Sequence, residues 1–132
     1  MRWQRLMTAT LAPLDLTHVQ FVLLACAWWL TAAGEACTQS RLAAQAGVDV
    51  KMTSDVLRRL ESKGLIERTP SERDSRANVV RLSAAGDARI ALALTAVEDA
   101  DARLFDAVGD DMDGLVTALR ILAEVAEPPQ GR

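Results

Sequence analysis

Thr38-Gln-Ser-Arg-Leu-Ala-Ala-Gln-Ala-Gly47, followed by Val48 and then Asp49-Val-Lys-Met-Thr-Ser-Asp-Val-Leu-Arg-Arg-Leu-Glu-Ser-Lys-Gly64, is the stretch on which the fold turns. Thr38 precedes eight residues without Gly or Pro, and Gly47 follows them, so a two-turn helix with a cap at each end is predicted for 39–46. Asp49 is placed to cap a second helix in which Val56, Leu57 and Leu60 form an apolar stripe, and Gly64 ends it after Lys63. Helix, tight turn, helix is the consequence. The Gly47-Val48-Asp49 link has the length and the glycine of a DNA-binding helix-turn-helix, whose second helix enters a major groove.

Outward from this pair, Leu65-Ile-Glu-Arg-Thr69 and Asn78-Val-Val-Arg-Leu82 have strand character and flank a polar loop, Pro70 to Ala77. A β-hairpin, or wing, is expected there. Ser83 can cap a long helix through about Val108, with Ile90, Leu94, Val97 and Leu104 recurring at helical steps and Asp101 interrupting the stripe. Asp110 or Asp111 can cap a last helix carrying Leu115, Val116, Leu119 and Leu122, ended by Pro128-Pro129. Upstream, Thr17 can cap a central helix running to about Ala33 before Gly34. Its near-continuous apolar character predicts a helix covered on both sides. The fold class expected is mostly α with a small β-hairpin wing: a winged helix-turn-helix with flanking dimerisation helices.

Composition bounds the rest. The 132 residues are half hydrophobic, enough for one core, so a single domain over 1–132 is expected, its DNA-binding centre at about 36–83 and its dimerisation helices at about 1–12 and 84–127. The apolar run Val19 to Leu30 is too short to span a bilayer, and Met1 to Pro13 lacks the apolar block of an export signal. A cytoplasmic protein without membrane contact is expected. Net charge is −3, but residues 41–83 hold nine Lys/Arg against six Asp/Glu while 84–132 hold four Arg against ten Asp/Glu. A locally basic centre fits a nucleic-acid contact, although a solvated charged face gives similar counts.

The helix-turn-helix string, the Asp74-Ser-Arg76 tip and Leu82-Ser-Ala-Ala-Gly86 resemble the multiple antibiotic resistance regulator (MarR) family over roughly residues 14 to 125. The resemblance implies a dimeric winged-helix repressor or activator of transcription, commonly released from DNA by small aromatic or phenolic ligands or by thiol oxidation. Two departures are visible. The stretch before Leu14 is shorter than the family's usual first helix, and Asp55 stands where relatives often carry a basic or amide residue.

In helix 50–63 the stripe packs inward and leaves Lys51, Met52, Ser54, Asp55, Arg58 and Arg59 on the other face. Lys51 and Arg58 suit phosphates or guanine edges, Ser54 either, Met52 a thymine methyl and Asp55 a cytosine amino group. Lys51, Met52, Ser54, Asp55 and Arg58, with Thr38 and Gln39 before them and Arg73, Asp74 and Arg76 at the wing tip, are the candidate DNA-binding residues. The resemblance assigns Arg76 to the minor groove, oriented by Asp74. The bland alternative is a solvated face in which Asp55 pairs with Arg58 or Arg59.

Trp28 and Trp29 can wall an aromatic-effector pocket, the alternative being core packing. His18 is the only histidine and has no triad partners nearby in sequence, and with Cys26 and Cys37 it makes no metal-ligand spacing. No enzyme, metal or cofactor is expected. The two cysteines read as reduced core thiols, with a redox-sensing role as a minor alternative. The rival to DNA binding is a winged-helix module that docks a protein partner.

Overall fold

The computed structural model describes residues 2–72 and 78–106, together with Gly114, 116–119 and Ile121. The chain divides into two compact units, Met1–Glu98 and Asp99–Arg132. In the first, α1 (Arg2–Leu11) and a 3-10 turn (Ala12–Leu14) lead into α2 (His18–Ala32), α3 (Gln39–Ala46) and α4 (Val50–Ser62). Strands β1 (Ile66–Pro70) and β2 (Asn78–Leu82) follow, and α5 (Ala84–Asp106) starts in the first unit and runs into the second. Of the second unit, Val116, Leu119 and Ile121 are exposed. The last helix read from Asp110 or Asp111 otherwise lies outside the described residues, as does Val108.

The starts of α2, α3, α4 and α5 are each made by the side chain expected. Thr17 Oγ1 accepts from Gln20 N at 3.2 Å and Gln20 Oε1 accepts from Thr17 N at 3.2 Å, a reciprocal capping box at the head of α2. Thr38 Oγ1 accepts from Arg41 N at 3.1 Å, and Asp49 Oδ1 from Met52 N at 2.7 Å. Between α3 and α4 the chain reverses at Gly47, whose φ of +67° lies in the left-handed region that a side chain would strain. That single residue makes the tight turn of the helix pair.

β1 and β2 pair antiparallel with Ile66 opposite Leu82 and Pro70 opposite Asn78, and Val80 N donates to Cys37 O at 2.8 Å. The segment before α3 is thereby tied to the hairpin. Ser83 anchors the start of α5: its N donates to Leu65 O at 3.0 Å and its Oγ to Gly64 O at 2.5 Å, while it accepts from Gly86 N at 3.0 Å. Leu23, Leu24 and Leu30 of α2, Leu42 of α3, Leu57 and Leu60 of α4, Val80 of β2 and Ile90 of α5 bury into one core. The helix pair and the hairpin rest on that common floor.

Two cations fix the bend between α1 and α2. Lys63, the C-cap of α4, donates from Nζ to Asp15 O at 2.5 Å and to Gln20 Oε1 at 3.0 Å, and Arg89 Nη1 of α5 donates to Leu14 O at 2.6 Å. Asp15 takes a φ of +54° at this bend. His18 is exposed and meets the Trp3 ring edge-on, centroids 5.6 Å apart at 85°.

One expectation fails. Within its own unit α2 is not covered on both sides: Trp28 is 42 % and Trp29 51 % exposed. A 15-residue helix against a small core buries one face fully, here Gln20, Leu23, Leu24, Ala27 and Leu30; Val19, Phe21, Ala25 and Cys26 pack against the core only in part, and Trp28 and Trp29 stay exposed. Within that unit the two tryptophans are therefore not part of the core.

Candidate nucleic-acid interface

The amphipathicity of α4 builds the site. Thr53, Val56, Leu57 and Leu60 are buried, and at 3.6 residues per turn they occupy one side of the helix. Lys51, Met52, Asp55, Arg58 and Arg59 are exposed on the other, with Ser54 half-buried at its border. Every α4 residue singled out from the sequence thus shares one outward face. The first turn of α4 is already capped by the Asp49 carboxylate, which accepts from Met52 N, so contacts to phosphate oxygens on this face fall to the cationic side chains.

Charge on this face is patterned. Arg58 Nη1 lies 3.5 Å from Asp55 Oδ1, with both side chains more than half exposed. Among the described residues, Lys51 and Arg59 have no side-chain partner and remain available cations. Arg59, on the outward face but not among the candidate contacts, lies four and eight residues from Asp55 and Lys51, which places the three on one strip. Lys51, Met52, Asp55 and Arg59 form one wall of an open cleft of about 430 Å³, and Thr17, Val19 and Gln20 of the α2 head form the other.

Thr38 and Gln39 lie half-buried at the head of α3, and the Thr38 hydroxyl already serves as a cap acceptor, while its backbone bridges to Val79. Arg73, Asp74 and Arg76 lie outside the described residues. At the base of the hairpin, Arg68 Nε donates to Glu61 Oε2 at 3.1 Å, joining β1 to the last turn of α4. That hydrogen bond, aided by the charge of Arg68, holds the Glu61 carboxyl below its ordinary range.

A second groove, about 240 Å³, is lined by Ala25, Cys26, Trp28, Trp29, Gln45 and Leu94. It is almost wholly apolar. Both thiols are free, and burial pushes each one's pKa up; in Cys37 the nearby Cys26 adds to the effect and the value reaches about 11. The thiol form therefore dominates at neutral pH, opposite to the activation a redox sensor needs.

This geometry agrees with what the chain resembles. The MarR family model matches residues 16–77, which contain the helix-turn-helix and the first strand of the hairpin. An uncharacterized HTH-type transcriptional regulator of Bacillus subtilis (strain 168), YdcH, is 42% identical over 105 residues, covering 80% of this chain and 71% of its own. The chain belongs to the MarR family. Its members are transcriptional regulators, and this chain has their mostly helical winged fold.

Two solved relatives fit that membership. A mutant of MarR from E. coli, complexed with operator DNA, superposes with a TM-score of 0.81 at 28% identity, covering 96% of this chain and 86% of its own. The transcriptional repressor CouR of Rhodococcus jostii RHA1, bound to a 23-mer DNA duplex, gives a TM-score of 0.79 at 30% identity, with 92% and 84% covered. Among the described residues of this MarR-family chain, no single helix is long and apolar enough to cross a membrane.

Proposed function

We propose that the chain is a repressor that binds a roughly palindromic operator as a homodimer. α4 enters the major groove through Lys51, Met52, Ser54, Asp55 and Arg58, with Arg59 beside them. Thr38 and Gln39 support this contact at the head of α3, and the hairpin carries Arg76, oriented by Asp74, and Arg73 to the adjacent minor groove. The carrying observation is the outward face of α4, polar and cation-bearing, on a fold whose relatives MarR and CouR are each seen on DNA.

The domain layout follows the same reading. Residues 1–132 act as one functional domain in the cytoplasm, 36–83 meeting DNA and the segments 1–12 and 84–127 meeting the second copy. The apolar Trp28–Trp29 groove takes a small aromatic or phenolic effector; its lining is supported by two exposed indoles beside Leu94 and Ala25. A thiol switch is disfavoured, because burial holds both cysteines protonated.

The test is fluorescence anisotropy on DNA flanking the chain's own gene, run as a salt series. Sequence-preferring binding that weakens steeply with salt is expected. Its absence at low salt would overturn the reading and favour the protein-docking alternative. Phenols and aromatic acids that release the DNA should also quench or shift tryptophan emission; release without any spectral change would remove the effector from this groove.

A further inference from the structure

We infer that Asp55 is a specificity-determining residue that makes each operator half-site require a C·G base pair, read jointly by the Asp55–Arg58 ion pair; this rests on α4 being the major-groove helix. The inference starts from where the carboxylate lies. At 3.6 residues per turn the outward arc of α4 runs from Ser54 and Arg58, past Lys51 and Asp55, to Arg59 and Met52. Asp55 is near its middle. The cations stand around it: Lys51 one turn before, Arg58 and Arg59 three and four residues after.

A carboxylate at that position cannot serve phosphates, which repel it, whereas the cations beside it can. It must meet a hydrogen-bond donor on a base edge or weaken binding to every sequence. The major groove offers two such donors, the cytosine N4 and adenine N6 amino groups. Adenine presents N7, an acceptor, next to its amino group; an amide satisfies both, but a carboxylate accepts from one and is repelled by the other. Cytosine has only a C–H at the corresponding place. Its partner guanine presents O6 and N7, the pair of acceptors an arginine fork matches.

Arg58 is already held 3.5 Å from Asp55. Acceptor and donors are thus presented side by side, in the pattern that one C·G pair displays across the groove. The ion pair is solvent-exposed, so it contributes little to stability. Removing it leaves the fold intact and isolates recognition.

The experiment selects duplexes from a randomised library with the full-length chain, then measures anisotropy on the enriched sequence. The unmodified protein should retain C·G at one fixed position of each half-site, and replacing it with T·A should cost about tenfold or more in affinity. Asp55→Ala should make that position degenerate, leave the others unchanged and tighten binding to unrelated DNA at low salt. Asp55→Asn should convert the preference to A·T, since an amide matches adenine N6 and N7. A merely structural role would not redirect base choice in this way. If both variants, folded by circular dichroism, select the parent consensus, the inference is overturned while DNA binding stands. If the parent enriches no sequence, the major-groove reading itself falls, and this inference with it.

Discussion

Thr53 turns a fully buried hydroxyl into the core between α4 and its neighbours, and its Oγ1 is the one buried side-chain oxygen or nitrogen among the described residues without a hydrogen-bond partner. A hydroxyl that surrenders water and gains nothing costs about 1–3 kcal/mol. Thr53→Val keeps the shape and removes the orphan group. It should raise the urea midpoint at unchanged m, by the equivalent of about 1 kcal/mol; a lowered midpoint would mean that the hydroxyl has a partner after all. Gly86 makes the opposite case. Helix propensity alone says that Ala is better there by about 1 kcal/mol. In the fold, however, a Cβ on Gly86 would collide with Leu65 O, the carbonyl that accepts from Ser83 N. That oxygen cannot retreat without breaking the start of α5. Gly86→Ala should therefore destabilise by about 1–3 kcal/mol or more, and equal or greater stability in denaturant titration would refute the close approach.

At the scale of elements, the hairpin is held to α4 by Glu61 and Arg68, and the pair makes a pH-dependent contribution. The Arg68 hydrogen bond lowers the folded carboxyl below its ordinary value of 4.5. A depressed pKa means that the folded state binds fewer protons, so the stabilisation is complete above about pH 4.5 and is lost as pH falls through the folded value. Glu61→Gln should lower stability at neutral pH by a small amount and approach the parent in acid well below the carboxylate range. A difference constant with pH would show that packing, not charge, is responsible. Elements of this kind were legible unevenly. Thr17, Thr38, Asp49 and Gly47 signal through side chains that act within four residues, and each helix end falls where they put it. β1 is displaced by one residue, to Ile66–Pro70, with Leu65 contributing to the pairing only its carbonyl, which accepts from Ser83 N. Invisible beforehand were the contacts of Lys63 with Asp15 and Gln20 and of Arg89 with Leu14, since partners separated by 43 to 75 positions leave no local pattern. The outward face of α4 could be read from its stripe, whereas the choice of Arg58 over Arg59 as the Asp55 partner depends on rotamers.

For the whole molecule, the question is how a chain of net charge −3 holds a polyanion. The excess of acid lies in residues 84–132, whereas the stretch 41–83 that carries α4 and the hairpin is basic, so the net charge of the chain does not describe the charge of its candidate contact segment. Trp28 and Trp29 lie exposed along the apolar groove and Leu92 is exposed on α5, surface that a second copy or an effector would cover under the proposed function. Salt dependence can count the copies. Each phosphate neutralised adds about 0.9 to the slope of log K against log salt. If one Arg76 sits in a minor groove for each wing, Arg76→Ala should weaken operator binding by about 1–3 kcal/mol for each wing so altered. The slope should then become shallower by about 1.8 for a dimer seated on two wings and by about 0.9 for a monomer seated on one. Folding and light-scattering mass should be unchanged, because the substitution is remote in sequence from the core floor of Leu57 and Leu60 and lies in the polar loop that precedes Val80. An unaltered slope at equal affinity would remove the hairpin from the DNA contact, leaving recognition to α4.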